Sequence, residues 1–505
     1  MKTSVLLVLA FAAGAYAQSA CDQLKSLALP GTTFSTVVSV AAGPPYAAPA
    51  QNADGGGGRG GPQAPALILP AYCRVAATLK PSADSDIRME VWMPENWNGK
   101  IEVVGNGGWA GVISYAAMAQ ALKEGYAAAS TDTGHEGGNG MFALGHPEKI
   151  VDFGYRAVHE TVVKSKAIVA AYYGKGPKYS YWNGCSTGGR QGLVEVTRYP
   201  EDFDAVVAGA PANPHLHLHA AGVERSMEEM KLVKDAALPP AKIETLHKAV
   251  MEQCDARDGL KDGLIGDPHK CKFDPSVLLC KNGDADTCLT AAQVDLVKIV
   301  YADVKTKKGE TIWTGFEPGG ELQYASLRTI PTQPGGGLDS IRILGYQNAD
   351  WDWRTFELDR DVAMADEKAG FIDAHTYDLS AFKAHGGKLL LYHGWADQLI
   401  PPGNTINFYN GVLSKMGAKQ DDWLKLYMVP GMMHCQGGDG PDQFSKMGVV
   451  ERWRESGAAP KEIIASHVSG GAVDRTRPLC PYPQVAVYRG IGSINDASSF
   501  SCRLP

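Results

Sequence analysis

Apolar residues in this chain fall into short β-branched or aliphatic runs separated by longer stretches of helical spacing, the alternation expected of a parallel sheet flanked by helices. Residues 101–104 predict one strand, ending in the glycine-rich run Gly105-Asn106-Gly107-Gly108, and residues 126–130 the next. From about 154 to 173, Val158, Val162, Ile168 and Val169 recur near the helical period and predict a helix. Further strands are expected at 179–182 and 205–208 and, after a long gap, at 388–392 and 424–429. The gap, 211–374, differs in character: it holds four cysteines, a cluster of aspartates, and Trp313, Phe316, Tyr324, Tyr346, Trp351, Trp353 and Phe356. A single βαβ step takes roughly 30 residues, so an inserted domain accounts for the excess.

The amino terminus reads differently. Lys2, an apolar run over 5–13 and the triplet Ala15-Tyr16-Ala17 predict a secretory signal over 1–17, cleaved before Gln18. The run is well short of the roughly 20 apolar residues of a membrane span, and no later segment is long and apolar enough to cross a bilayer. All ten cysteines follow the cleavage point, an even number that favours five disulfides in an oxidising compartment. A formal charge of −7 lacks the basic excess of a phosphate-binding surface, so nucleic acid is not an expected partner. The glycine-rich run 53–65 lacks the Lys-Ser/Thr of a phosphate loop and reads as a surface loop.

Gly184-Cys185-Ser186-Thr187-Gly188, directly after the strand 179–182, is the pattern of a nucleophile elbow. A serine there needs a base. Of the thirteen histidines, His434 is the best placed, following the strand 424–429 through Pro430-Gly431-Met432-Met433. Asp397 follows the strand 388–392 and completes the order Ser, Asp, His of α/β-hydrolases. Oxyanion donors are expected at the N–H of Thr187 and in the loop after strand 101–104, at Gly107 or Gly108, with Gly108 preferred. Cys185 precedes the serine and Cys435 follows the histidine. If the two catalytic residues meet, a bridge between these cysteines becomes geometrically feasible.

Cys185-Ser186, Asp397 and His434-Cys435 resemble the catalytic elements of the tannase and feruloyl esterase family, a likeness that extends over essentially the whole mature chain. The resemblance implies an α/β-hydrolase catalytic domain over 18–210 and 375–505, with a lid domain at 211–374. It implies a secreted serine esterase that cleaves esters of aromatic acids: galloyl, hydroxycinnamoyl or, as in relatives that hydrolyse mono(hydroxyethyl) terephthalate, terephthaloyl. The partner would be a small aromatic ester, free or attached to plant cell-wall polysaccharide or tannin. It also suggests the pairings Cys21 with Cys73, Cys185 with Cys435, Cys254 with Cys271, Cys280 with Cys288, and Cys480 with Cys502. A non-catalytic calcium-stabilised binding protein on the same scaffold is the alternative from another class, and a thiol hydrolase using Cys185 a third.

Asp255, Asp258 and Asp262, with turn-forming glycines between them, offer the hard oxygens that calcium prefers, without EF-hand spacing. The resemblance implies a structural Ca²⁺ held by these side chains and the carbonyls of Leu260 and Leu264. His215, His217 and His219 would share one face if that stretch were a strand, which suggests metal binding, cleft lining or plain surface.

Overall fold

The computed structural model describes residues 20–43, 46–48, 67–374 and 376–505; the expected signal 1–17 and the run 53–65 lie outside them. The chain divides into two compact units at residue 206.

The first unit is built on six strands: β1 (Thr32–Val40), β2 (Tyr72–Leu79), β3 (Ile87–Pro94), β4 (Lys100–Val104), β5 (Ala127–Thr131) and β6 (Tyr179–Cys185). Strands β1, β2, β3 and β5 pair antiparallel in that order; β4 then pairs parallel with both β5 and β6, Val103 facing Ala129 on one side and Trp182 on the other. Helix α1 (Tyr115–Lys123) links β4 to β5, α2 (Ala157–Tyr173) lies between β5 and β6, and α3 (Thr187–Arg198) follows β6. Every residue of β5 is buried, as is usual for a strand with helices over both faces. Helix α2 matches the predicted one and stops at Gly174, whose φ of 72° is the left-handed conformation glycine adopts at helix ends.

The second unit opens within β7 (Ala205–Gly209). Past that strand, the amide of Ala210 donates to the carbonyl of Tyr392 at 2.8 Å. A mainly helical segment follows, with α4 (His215–Met230), α5 (Pro240–Cys254), α6 (Ala291–Tyr301) and α7 (Leu358–Ala369). This segment has its own core, in which Leu246, Val250, Leu289, Leu296, Val297, Val300 and Leu327 are fully buried. Thr290 and Gln293 form a capping box that fixes the start of α6. Strand β8 (Lys388–Gly394), helix α8 (Gly403–Met416) and strand β9 (Leu424–Val429) come next, β8 and β9 parallel with Leu391 opposite Leu426. Leu389, Leu390 and Leu391 are fully buried; truncating any one to alanine costs about 2–5 kcal/mol. Parallel strands with intervening helices make the fold α/β, of the α/β-hydrolase type expected.

Four disulfides are those the resemblance suggested: Cys21–Cys73, Cys254–Cys271, Cys280–Cys288 and Cys480–Cys502. Cys185 and Cys435 are disulfide-bonded as well, and no cysteine is free among the described residues. The strand considered for His215, His217 and His219 is not formed: these residues open α4 instead. The carboxylate of Asp373 accepts from the amides of His215 and Leu216 at 2.7 and 3.3 Å and so caps a helix start that carries no cap of its own. At helical spacing the histidines separate. His215 and His219 pack ring against ring, with centroids 4.1 Å apart, while His217 Nε2 pairs with Asp366 Oδ2 at 2.9 Å.

Candidate active site

In the first unit, β6 leads to Ser186, whose backbone has φ 63° and ψ −125°, and α3 begins at the next residue. A non-glycine residue in this region is strained, and the strain sits on the candidate nucleophile itself rather than on its glycines. The glycines serve close approach. A Cβ on Gly184 would collide with the Gly188 carbonyl and come within 2.7 Å of the Trp182 indole nitrogen; one on Gly105 would lie 2.6 Å from the Gly188 Cα. Only glycines at 105, 184 and 188 let the loop after β4 lie against the elbow.

That contact brings the two expected oxyanion donors together. The Thr187 hydroxyl donates to the Gly108 carbonyl, and the Gly188 amide donates to the Asn106 carbonyl at 2.7 Å. Neither Thr187 N–H nor Gly108 N–H makes a backbone hydrogen bond among the described residues. Gly108 has φ 56° and open space where a Cβ would stand. His135, on the turn after β5, stacks on Phe142 with centroids 3.6 Å apart and places Nε2 2.8 Å from the Trp109 carbonyl, bracing the far end of the loop.

In the second unit, β8 and β9 deliver Asp397 and His434. His434 Nδ1 lies 2.8 Å from Asp397 Oδ2, and the His434 amide donates to Gln398 Oε1 at 2.9 Å. Asp397 is wholly buried. Its Oδ1 accepts from the amides of Leu399 and Ile400, both at 2.8 Å, and its Oδ2 also meets His393 Nε2 at 3.0 Å. Burial alone would raise its pKa; the charge of His434 and the hydrogen bonds from His393 and His434 outweigh this and hold the carboxyl well below the usual carboxylate range. His393 was not singled out from sequence. Its place at the end of β8, four residues before Asp397, was the available signal.

The aspartate cluster forms a tight loop after α5. Asp255 accepts from the amides of Asp262 and Gly263, Asp258 from those of Leu260 and Gly266, and Asp262 from that of Leu264, while Arg477 pairs with Asp262 at 2.6 Å. Burial, with the charges of Asp262 and Asp255 adding to it, pushes Asp258 up to about 6. The donor chemistry, hard oxygens with surplus negative charge, suits a cation such as Ca²⁺. Even so, no three His, Cys, Asp or Glu side chains are grouped to hold a metal ion among the described residues. The loop also reaches the turn that carries His434: a Cβ on Gly431 would lie 2.6 Å from Leu264 Cδ2, and Leu264 shares a cavity wall with Trp395, Ala396 and Met433.

Of the aromatics singled out between 211 and 374, Trp313, Phe316, Tyr324 and Phe356 are buried. Phe316 and Tyr324 pack into the core of that segment, with ring centroids 4.8 Å apart.

A family model described as tannase and feruloyl esterase matches residues 73–503. An uncharacterized esterase of Xanthomonas campestris pv. campestris is 36% identical, over 97% of this chain and 92% of its own length. A probable feruloyl esterase B-1 of Aspergillus flavus is 34% identical, over 86% of this chain and 87% of its own. The crystal structure of feruloyl esterase B from Aspergillus oryzae aligns with a TM-score of 0.88 at 31% identity, over 96% of this chain and 100% of that one.

Proposed function

Because the chain belongs to the tannase and feruloyl esterase family and is by that membership a carboxylic ester hydrolase, we propose that it cleaves esters of aromatic acids through Ser186, His434 and Asp397. The observation that carries the reading is the pairing of His434 Nδ1 with the buried, ionised Asp397 at 2.8 Å. With Nδ1 so held, Nε2 is the ring nitrogen left to act as base, and the carboxylate stabilises the imidazolium that forms.

In this mechanism Ser186 Oγ attacks the ester carbonyl as His434 takes its proton. The carbonyl oxygen becomes an oxyanion, met by the N–H groups of Thr187 and Gly108. Collapse of the tetrahedral intermediate breaks the bond to the alcohol, which leaves with the proton from His434. Water, deprotonated by the same imidazole, then releases the acid and restores Ser186. A disulfide between Cys185 and Cys435 would fasten the histidine turn to the elbow. Residues 1–17 would direct export, in keeping with a chain whose cysteines are bonded. A structural Ca²⁺ would be held by Asp255, Asp258 and Asp262 with the carbonyls of Leu260 and Leu264, where it would neutralise the crowded carboxylates.

The test is a Ser186→Ala variant assayed on methyl ferulate, methyl gallate and mono(hydroxyethyl) terephthalate. Loss of turnover on every ester that the wild type accepts, together with loss of labelling by a serine-directed phosphonate, is expected. Persistent hydrolysis would reject the serine mechanism, and a wild type inert toward all three esters would reject the substrate class; Cys185, being disulfide-bonded, has no thiolate with which to take the place of Ser186.

A further inference from the structure

Gly107 and Gly108, the tip of the loop after β4, are exposed and make little packing of their own, whereas the next residue, Trp109, is buried against Phe153. Nothing lies within 4 Å of the point where a Cβ would stand on Gly107 or Gly108. The position of these glycines is set from their two sides, by the packed Trp109 after them and by the hydrogen bonds of Asn106 before them. Every polar group of Asn106 is engaged. Its amide donates to Gln191 Oε1 at 3.1 Å and its carbonyl accepts from the Gly188 amide at 2.7 Å. Its side-chain oxygen accepts from Gln191 Nε2 at 2.9 Å, and its side-chain nitrogen donates to the carbonyls of Val112 and Thr131 at 2.9 and 2.8 Å.

Two of these bonds form a reciprocal amide pair. Gln191 offers one acceptor and one donor, and Asn106 answers with its backbone N–H and its side-chain oxygen. Both residues are buried, at 1% and 4% exposure. Gln191 lies on α3 one turn beyond Thr187, so the pair couples the helix that supplies one oxyanion donor to the loop that supplies the other. Such a two-point contact fixes orientation as well as distance, which a single hydrogen bond does not. Oxyanion donors act only when they are about 2.7–3.1 Å from the developing charge, so their mutual spacing matters.

We propose that Gln191 is a positioning residue for ester hydrolysis: through its paired hydrogen bonds to Asn106 it sets the separation of the Thr187 and Gly108 N–H groups. This rests on the serine mechanism above and assigns Gln191 no contact with substrate. A loosened pair weakens transition-state binding without changing how the ground-state ester docks, so the loss falls on kcat.

The experiment compares Gln191→Met and Gln191→Glu with wild type, measuring kcat, KM, the inactivation rate with a serine-directed phosphonate, and Tm. Methionine keeps the volume and deletes both bonds. It should lower kcat on the order of 10- to 100-fold with KM within about twofold of wild type, and the phosphonate rate should fall in parallel. A protonated glutamic acid can still accept from the Asn106 amide and donate to its side-chain oxygen, whereas the carboxylate opposes that oxygen. The Gln191→Glu variant should therefore approach wild-type kcat as pH is lowered and fall away as pH rises, a profile that a purely structural role for Gln191 does not produce. Wild-type kcat in Gln191→Met, or a ratio of Gln191→Glu to wild-type kcat that does not vary with pH, overturns the proposal; if the methionine variant does not fold, the pH ratio alone decides. Failure of the underlying mechanism would look different, since wild-type protein would then resist the phosphonate.

Discussion

His393 Nε2 lies 3.0 Å from Asp397 Oδ2, the same oxygen that His434 Nδ1 meets at 2.8 Å. Two imidazoles therefore share one carboxylate oxygen. The Thr405 hydroxyl, 2.7 Å from His393 Nδ1, can donate to that nitrogen and leave the ring proton on Nε2, shared between Asp397 and the Ile400 carbonyl at 2.9 Å. His393 is fully buried, so its loss leaves Asp397 with one fewer donor and a void beside it. His393→Ala should lower kcat by about tenfold through misorientation of Asp397, against a loss of about 10⁴ for Asp397→Asn, where the wrong tautomer of His434 is held. Steady-state kinetics on both variants checks the ranking, and an inert His393→Ala with wild-type Tm would mean that His393 does more than orient.

Cys185 adjoins Ser186 and Cys435 adjoins His434, and Cys435 itself has φ 65°, a conformation that costs a non-glycine residue energy unless its surroundings enforce it. Replacing both cysteines by alanine should release the histidine turn and cut turnover strongly, while Ser186 and α3 keep their fold. Near-normal rates in that double variant would reject the fastening role.

Sequence patterning was legible where one element carries its own signal. Strands β8 and β9 are aliphatic runs buried on both faces, and each starts and ends within two residues of the predicted bounds. The elbow was legible because Ser186 lies between a strand and a helix that are both local. The start of α4 was not, because Leu216 and Leu218 alternate with the histidines as in a strand, while the carboxylate that caps the helix, Asp373, arrives from 158 residues away. The antiparallel strands β1 to β3 were passed over, and the Asn106–Gln191 pair joins residues 85 apart whose amides carry no sequence mark of their partnership. Contacts of this kind become visible only once the backbone has folded.

Calcium is tested most directly by stability. Asp255 is 4% exposed, and its neighbours Asp258 and Asp262 add like charge in the same loop. A cation bound there favours the folded state by mass action. Chelation should lower Tm by several degrees and restore it on Ca²⁺ addition, with a smaller effect on the rate measured at low temperature. Because Leu264 abuts Gly431, loss of activity should follow the loss of the fold as temperature rises. A melting curve unmoved by chelator would remove the metal assignment.

Asp132 and His135 stand on the turn after β5, beside the loop that follows β4, and burial shifts them in opposite directions. Burial pushes Asp132 up to about 7, in spite of the amides of Gly134 and Arg88 that donate to it; burial pushes His135 down to about 4. An unfolded aspartate titrates near 3.9. Between about pH 4 and 7 the folded chain therefore holds the Asp132 proton more tightly, and this contribution to stability is present at low pH and lost as pH rises through 7. An unfolded histidine titrates near 6.5, so His135 contributes fully above that value and loses its contribution as pH falls toward 4. The two slopes oppose each other in the wild type. Asp132→Asn should leave the His135 dependence unopposed, a loss of about 3 kcal/mol between pH 6.5 and 4 at about 1.36 kcal/mol per pH unit. His135→Gln removes the histidine's loss and should grow more stable, relative to wild type, as pH falls below about 6.5, leaving the Asp132 dependence unopposed. Urea midpoints for the three proteins at pH 7, 5.5 and 4 distinguish these slopes, and three parallel profiles would show that neither group titrates in this window.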